Sequence, residues 1–118
     1  TRYEIASEVS RELKTIAKSE EVLLLCAAQL SRDAGDGSKQ PTLDSLRDSG
    51  VAEEAADRVI GLWRPQPIED ASATITDGLE IGVCVLKNRF GPTGGETKLQ
   101  YDHTLRLVQA DAGDGIPW

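Results

Sequence analysis

The stretch Val22-Leu23-Leu24-Leu25-Cys26-Ala27, which continues into Ala28, is the longest apolar run in the chain and constrains the fold more than any other feature. It has no polar residue in alternate positions. That is the pattern of a strand buried on both faces, the habit of parallel sheets covered by helices. Directly before it, Tyr3 to Lys18 carries Ile5, Val9, Leu13 and Ile16 at spacings of four, four and three. These side chains stack on one face of a helix, and Glu4, Glu8, Arg11, Glu12 and Lys14 fill the others. A helix running straight into a buried strand is the signature of an α/β layer. The expected fold class is therefore α/β, with a mixed, mainly parallel sheet and flanking helices.

The rest of the chain alternates turn chemistry with short apolar segments. Ser31 to Thr42 reads as a loop rich in Gly35, Gly37, Ser38 and Pro41. Thr42 is placed to cap a short helical turn over Leu43-Asp44-Ser45-Leu46, which Gly50 ends. Ala52 to Asp57 is a second helix candidate, and Val59-Ile60-Gly61-Leu62-Trp63 a second buried strand. Pro65 to Asp77 is an acidic surface excursion. Leu79 to Leu86 returns to strand character, with Ile81, Val83 and Val85 on one face and Cys84 and Leu86 on the other. Gly91-Pro92-Thr93-Gly94-Gly95 is a turn. Thr97 to Tyr101 and Leu105 to Val108 form a C-terminal hairpin candidate around Asp102-His103-Thr104. Residues 1–110 thus make one domain portion, and 111–118 a loose tail.

Composition narrows the function classes. The chain has 118 residues, 39% of them hydrophobic, which supports one domain with a core. The formal net charge of -7 argues against nucleic-acid binding through the whole surface. No apolar run approaches the roughly 18 residues that span a bilayer, and no basic-then-apolar leader opens the sequence. The expectation is a cytoplasmic protein without membrane attachment. Cys26 and Cys84, each in an apolar run, read as buried reduced thiols. One His and two separated Cys cannot close a zinc site, so no metal ligands are expected within the chain. The chain contains neither a GxxxxGK[ST] phosphate loop nor a Ser-His-Asp arrangement, so it holds no complete active site. It begins at Thr1 and contains no Met, which reads as a piece of something longer.

Three groups of polar residues sit where chemistry is possible. Gln29 follows the Val22–Ala28 run, and ligands of open α/β sheets lie beyond the carboxyl ends of strands. Its amide can bond a phosphate oxygen; an ordinary polar strand exit is the alternative, and the one the local residues favour. Lys87 and Arg89, spaced by Asn88, point the same way from the end of a strand and can clamp a phosphate. A solvated basic strand end is the alternative. Arg47, within Leu46-Arg47-Asp48-Ser49-Gly50, can hold a nucleic-acid phosphate together with free backbone N–H groups, or simply close a helix. His103, Cys26 and Cys84 have no assignable role. Arg64 is open between a contact to a nucleotide base and a surface position.

Taken in order, these segments resemble the RecA-like motor domain of DnaB-type replicative DNA helicases, a P-loop NTPase fold, over roughly residues 3–109. Ser7 to Ala17 is similar to the family's helix after the Walker B strand. Cys26-Ala27-Ala28-Gln29-Leu30-Ser31-Arg32 resembles the family's "ALSQLSR", and Asp44-Ser45-Leu46-Arg47-Asp48-Ser49-Gly50 its "SDLRESG". Ala56-Asp57-Arg58-Val59-Ile60-Gly61-Leu62-Trp63-Arg64 is similar to "ADVVMFLYR", and Leu86-Lys87-Asn88-Arg89-Phe90-Gly91-Pro92-Thr93-Gly94 to "AKQRNGPTG". Each motif alone is weak, but five in order at family-like separations are specific.

The resemblance implies roles residue by residue. Gln29 falls on the family's γ-phosphate sensor. Arg89 falls on the arginine finger and Lys87 on its partner lysine, both reaching the nucleotide of a neighbouring subunit. Arg47, Asp48 and Gly50 fall on the channel loop that holds single-stranded DNA. It also implies ATP, Mg²⁺ and a hexameric ring, with Walker A and B residues lying before Thr1. Asn88 replaces the family's Gln, Phe90 its Asn, and Asp48 its Glu. The isolated chain is then expected to be inactive and prone to self-association. Two other readings remain, another RecA-like ATPase such as a repair recombinase, and a helicase-like remnant that acts only as an interaction domain.

Overall fold

The computed structural model describes residues 1–31, 37–49, 54–65 and 78–109, with the backbone alone at 47–49. The 111–118 tail, the acidic excursion from Gln66 to Asp77, Arg32 and Gly50 lie outside the described residues.

Helix α1 spans Arg2–Ser19. A capping box starts it, in which the Thr1 hydroxyl accepts from the Glu4 N–H and the Glu4 carboxylate accepts from the Thr1 nitrogen. It ends in a Schellman turn. The Val22 N–H donates to the Ala17 carbonyl at 3.1 Å and the Glu21 N–H to Lys18 at 3.4 Å. Glu21 takes the left-handed φ of 52° that glycine usually supplies there. That turn aims the chain out of α1 and into the apolar run.

The run itself departs from expectation. Residues 22–30 adopt neither helix nor strand, and Leu23 and Leu25 are 94% and 93% exposed. A strand needs a neighbour whose N–H and C=O groups it pairs with, and this segment pairs with none of the described strands. Cys26, expected to be buried, is exposed with the run, whereas Cys84 is buried and its thiol is pushed up by that burial.

The described strands form a four-stranded sheet in the order β1-β2-β3-β4, with β1 at Arg58–Trp63, β2 at Glu80–Asn88, β3 at Glu96–Tyr101 and β4 at Leu107–Gln109. Every pairing is antiparallel. This corrects the mainly parallel sheet expected from the apolar runs. The turns at 89–95 and 102–106 are too short for the crossover a parallel pair requires. The C-terminal hairpin is present as β3 and β4. At its tip the Asp102 carboxylate accepts from the Thr104 N–H at 2.8 Å and the Arg106 N–H at 3.1 Å. These bonds, led by that of the Thr104 hydroxyl, hold its carboxyl below the usual range.

Central strand β2 carries the small core, with Val83, Cys84 and Val85 buried on its two faces. On the Cys84 face, Gly61 of β1 faces Cys84 and Gly82 faces Trp63. A methyl group on Gly82 would overlap the Trp63 indole, and one on Gly61 would meet Pro41. β1 is less buried than expected, since Ile60 and Leu62 are exposed. The register slips between Val59 and Ile60, leaving Leu86 as an extra residue in β2.

The packed side of α1 also differs from the expected one. Ala6, Ser7, Ser10, Leu13, Lys14 and Ala17 are the less accessible positions, while Ile5, Val9 and Ile16 are exposed. Small residues let the helix approach closely. The bulky apolar stripe is left facing outward with Val22, Leu23 and Leu25.

Two outcomes follow. Gly82→Ala should lower stability by about 1–3 kcal/mol through overpacking against Trp63, read from the denaturant midpoint; an unchanged midpoint would show that the indole moves freely. The 118-residue chain alone should associate as its concentration rises, and light scattering from a clean monomer at high concentration would contradict the exposed stripe.

Candidate functional site

The site forms where the end of β2, the entry to β1 and helix α1 meet. Arg89 is the first residue past β2, in the turn that leads to β3. Its backbone N–H donates to the Asp57 carbonyl at 2.8 Å, extending the β1–β2 ladder by one rung. Its guanidinium donates from Nη1 to Asp57 Oδ1 at 2.8 Å and from Nη2 to the Glu54 carbonyl at 3.2 Å. Lys87 reaches the same carbonyl with Nζ at 3.4 Å. The two cations therefore converge on one point, as their spacing on a strand end predicted.

Asn88, between them, is buried and organises the turn. Its amide donates to the Pro92 carbonyl, and its Oδ1 accepts from the Phe90 N–H, both at 3.3 Å, and from Arg58 Nε at 3.4 Å. A side chain on Gly91 would run into that amide. The local sequence thus fixes the turn that presents Arg89.

Asp57 is the centre of the charge arrangement. Its second oxygen accepts a hydrogen bond from Lys14 Nζ of α1. Asp57 thereby bridges two cations on two different elements. The Lys14 hydrogen bond, and then the charges of Lys14, Arg89 and Lys18, hold its carboxyl below the ordinary value of 3.8. Both Asp57 and Arg89 are about two-fifths exposed, at 40% and 41%. Each bridge therefore contributes only about 0.2–1 kcal/mol to stability. Beside them lies an open groove lined by Arg11, Lys14, Thr15, Lys18, Glu54 and Arg89. Sequence reasoning missed both Asp57, which it placed in a helix candidate, and this cationic groove. Of that candidate helix the described part is helical at Glu54 and Ala55.

The other sequence-derived candidates sit elsewhere in the arrangement. Gln29 is exposed in the run after α1, and among the described residues Arg89 pairs with Asp57 and Glu54 and not with it. Arg47 and Asp48 lie in a 3₁₀ helix, Leu43–Ser49. The Ser31 N–H, two residues past Gln29, donates to the Ser45 carbonyl of that helix at 2.8 Å. The Gln29 segment and the Arg47 segment are thus tied together.

The sequence of motifs and this fold are shared. The family described as "DnaB-like helicase C terminal domain" matches residues 1–109. The chain belongs to that family. It is 39% identical over 103 residues to a "Replicative DNA helicase DnaB" of Mycobacterium intracellulare, covering 86% of this chain and 17% of the relative. To the "Replicative DNA helicase DnaC" of Bacillus subtilis (strain 168) it is 36% identical over 121 residues, covering 98% of this chain and 26% of the relative. A solved structure of an ATPase domain superposes with a TM-score of 0.74 at 28% identity, covering 94% of this chain and 38% of that one. The chain thus spans about a quarter or less of those two helicase relatives. Its helix and sheet are part of the RecA-like ATPase fold, as expected. Membership of the DnaB-like family decides against a recombinase relative. No described helix is long and apolar enough to cross a membrane.

The sign of the pH effect at Asp57 follows from its lowered pKa. A carboxylate held below its unfolded value adds stability that is complete above about 3.8 and lost as pH falls through the folded value. The stability difference between the native chain and Asp57→Asn should therefore be constant across neutral pH and shrink only in acid below that value. A denaturant midpoint difference that grew in acid would contradict it.

Proposed function

We propose that this chain serves an ATP-driven replicative DNA helicase that unwinds duplex DNA by translocating on single-stranded DNA, and that Arg89 is its trans-acting arginine finger. The observation that carries this is the convergence of Lys87 and Arg89 at the end of β2, beside a groove lined by further cations. Such a surface suits the phosphates of a nucleotide bound by a neighbouring copy. A hexameric ring would supply that neighbour.

The residues fit this use. A guanidinium presents its donors in a planar fork that matches phosphate oxygens in pairs, and Lys87 adds a point charge beside it. ATP, when bound, supplies the phosphoryl group whose transfer drives the motor. Within this chain, Arg89 and Lys87 would stabilise charge that develops on that group. Gln29 is the proposed sensor, whose amide reports the presence of the terminal phosphate. The Ser31–Ser45 bond gives that report a short path to Arg47 and Asp48. Those residues and Gly50 are proposed to hold the backbone of single-stranded DNA. Among the described residues no group of three His, Cys, Asp or Glu is disposed to hold a metal.

In the intact protein that carries this chain, Arg89→Ala should lower kcat for ATP hydrolysis about a thousandfold or more and leave nucleotide affinity nearly unchanged. Steady-state hydrolysis and equilibrium binding of a fluorescent ATP analogue read the two quantities. Equal loss of both would make Arg89 a structural residue, and retained hydrolysis would remove it from the reaction.

A further inference from the structure

We propose that Asp57, anchored to α1 by Lys14, is the positioning residue of Arg89: it fixes the finger's backbone and its guanidinium together and so presents the guanidinium already oriented. The proposal rests on the reading of Arg89 as a finger.

The geometry separates it from an ordinary surface ion pair. Asp57 holds Arg89 at both ends, with its carbonyl on the backbone N–H and its carboxylate on Nη1, each at 2.8 Å. The Glu54 carbonyl takes Nη2 at 3.2 Å as a third point. A free arginine loses much rotamer freedom when it docks on a ligand. An arginine pinned at three points loses that freedom before the ligand arrives, which lowers the cost of reaching the reactive arrangement. The Lys14 bond then fixes the carboxylate to the helix, so the orientation belongs to the body of the domain and not to the turn alone.

A carboxylate next to a finger can also act against it by cancelling its charge. The charge balance here excludes that. Lys14 and Arg89 contribute two positive charges and Asp57 one negative charge, so the cluster remains positive. Arg11 and Lys18 line the same groove and outnumber the one acid in its lining, Glu54. The donors are not exhausted either. A guanidinium has five N–H donors, and the described residues engage one on Nη1 and one on Nη2. The remaining donors are available to an anion entering the groove.

The test compares Asp57→Asn, Asp57→Glu, Lys14→Gln and Arg89→Ala in the intact protein, with assembly of each checked by light scattering. For Asp57→Asn, kcat for ATP hydrolysis should fall about tenfold to a hundredfold, with KM for ATP held within about twofold. Asp57→Glu should recover most of the loss, because it restores the carboxylate. Lys14→Gln, which leaves Asp57 itself in place, should show a smaller loss of kcat at constant KM, and it decides the matter if Asp57→Asn does not assemble. Asp57→Asn placed in the Arg89→Ala background should cost nothing further. Unchanged kcat in Asp57→Asn or in Lys14→Gln would overturn the proposal, as would faster hydrolysis, which would make Asp57 a restraint. Normal hydrolysis by Arg89→Ala would instead sink the finger reading, whereas an inactive Arg89→Ala beside a fully active Asp57→Asn would sink only the positioning role.

Discussion

One carboxylate joins helix α1, strand β1 and the turn that follows β2. Asp57 stands at the entry to β1, accepts from Lys14 on α1, and accepts from Arg89 at the exit of β2. Helix and sheet otherwise share little of the buried core, which is concentrated on β2 and Leu46. The bridge is weak as a source of stability, since both partners face water. Its value is geometric. It converts a flexible cation at the tip of a turn into a fixed feature of the domain.

What the sequence revealed and what it hid divide along sequence separation. Helix α1 was legible to within one residue at each end, because periodicity is local. The β3–β4 hairpin was legible for the same reason, with Asp102 and Thr104 providing the turn. The Lys87 and Arg89 pair was legible from strand alternation. Asp57 was not, because its partners lie 43 positions upstream and 32 positions downstream, and no local rule pairs them. The packed face of α1 was misjudged because the bulky stripe is the more conspicuous one. The less accessible side instead carries Ser7, Ser10 and Ala17, whose small size permits close approach. The Val22–Ala28 run was misjudged because apolar composition states a preference for burial but does not supply the neighbouring strand.

Charge distribution carries a related lesson. A net charge of -7 describes the whole chain, yet Arg11, Lys14, Lys18 and Arg89 gather in one groove. Local potential is set by the charges nearest the site, because salt screens distant ones within about 8–10 Å. An acidic protein can therefore present a cationic pocket to an anion, while its remaining surface repels nonspecific polyanions.

The slip between Val59 and Ile60 has a final consequence. Leu86 occupies β2 without a partner of its own, so Lys87 resumes pairing with Val59 one step out of phase with Val85. Side chains on a regular strand alternate between faces, but at this bulge Leu86 and Lys87 project from the same face, Leu86 beside Cys84 at Gly61 and Lys87 opposite Val59. The direction of the two cations is thus set by what β2 pairs with and not by a count of residues along it. Deleting Leu86 would remove the bulge and leave Lys87 opposite Val59 on the same face. β1 therefore acts as the template that aims the end of β2, and the bulge absorbs a residue without redirecting the cations that follow it.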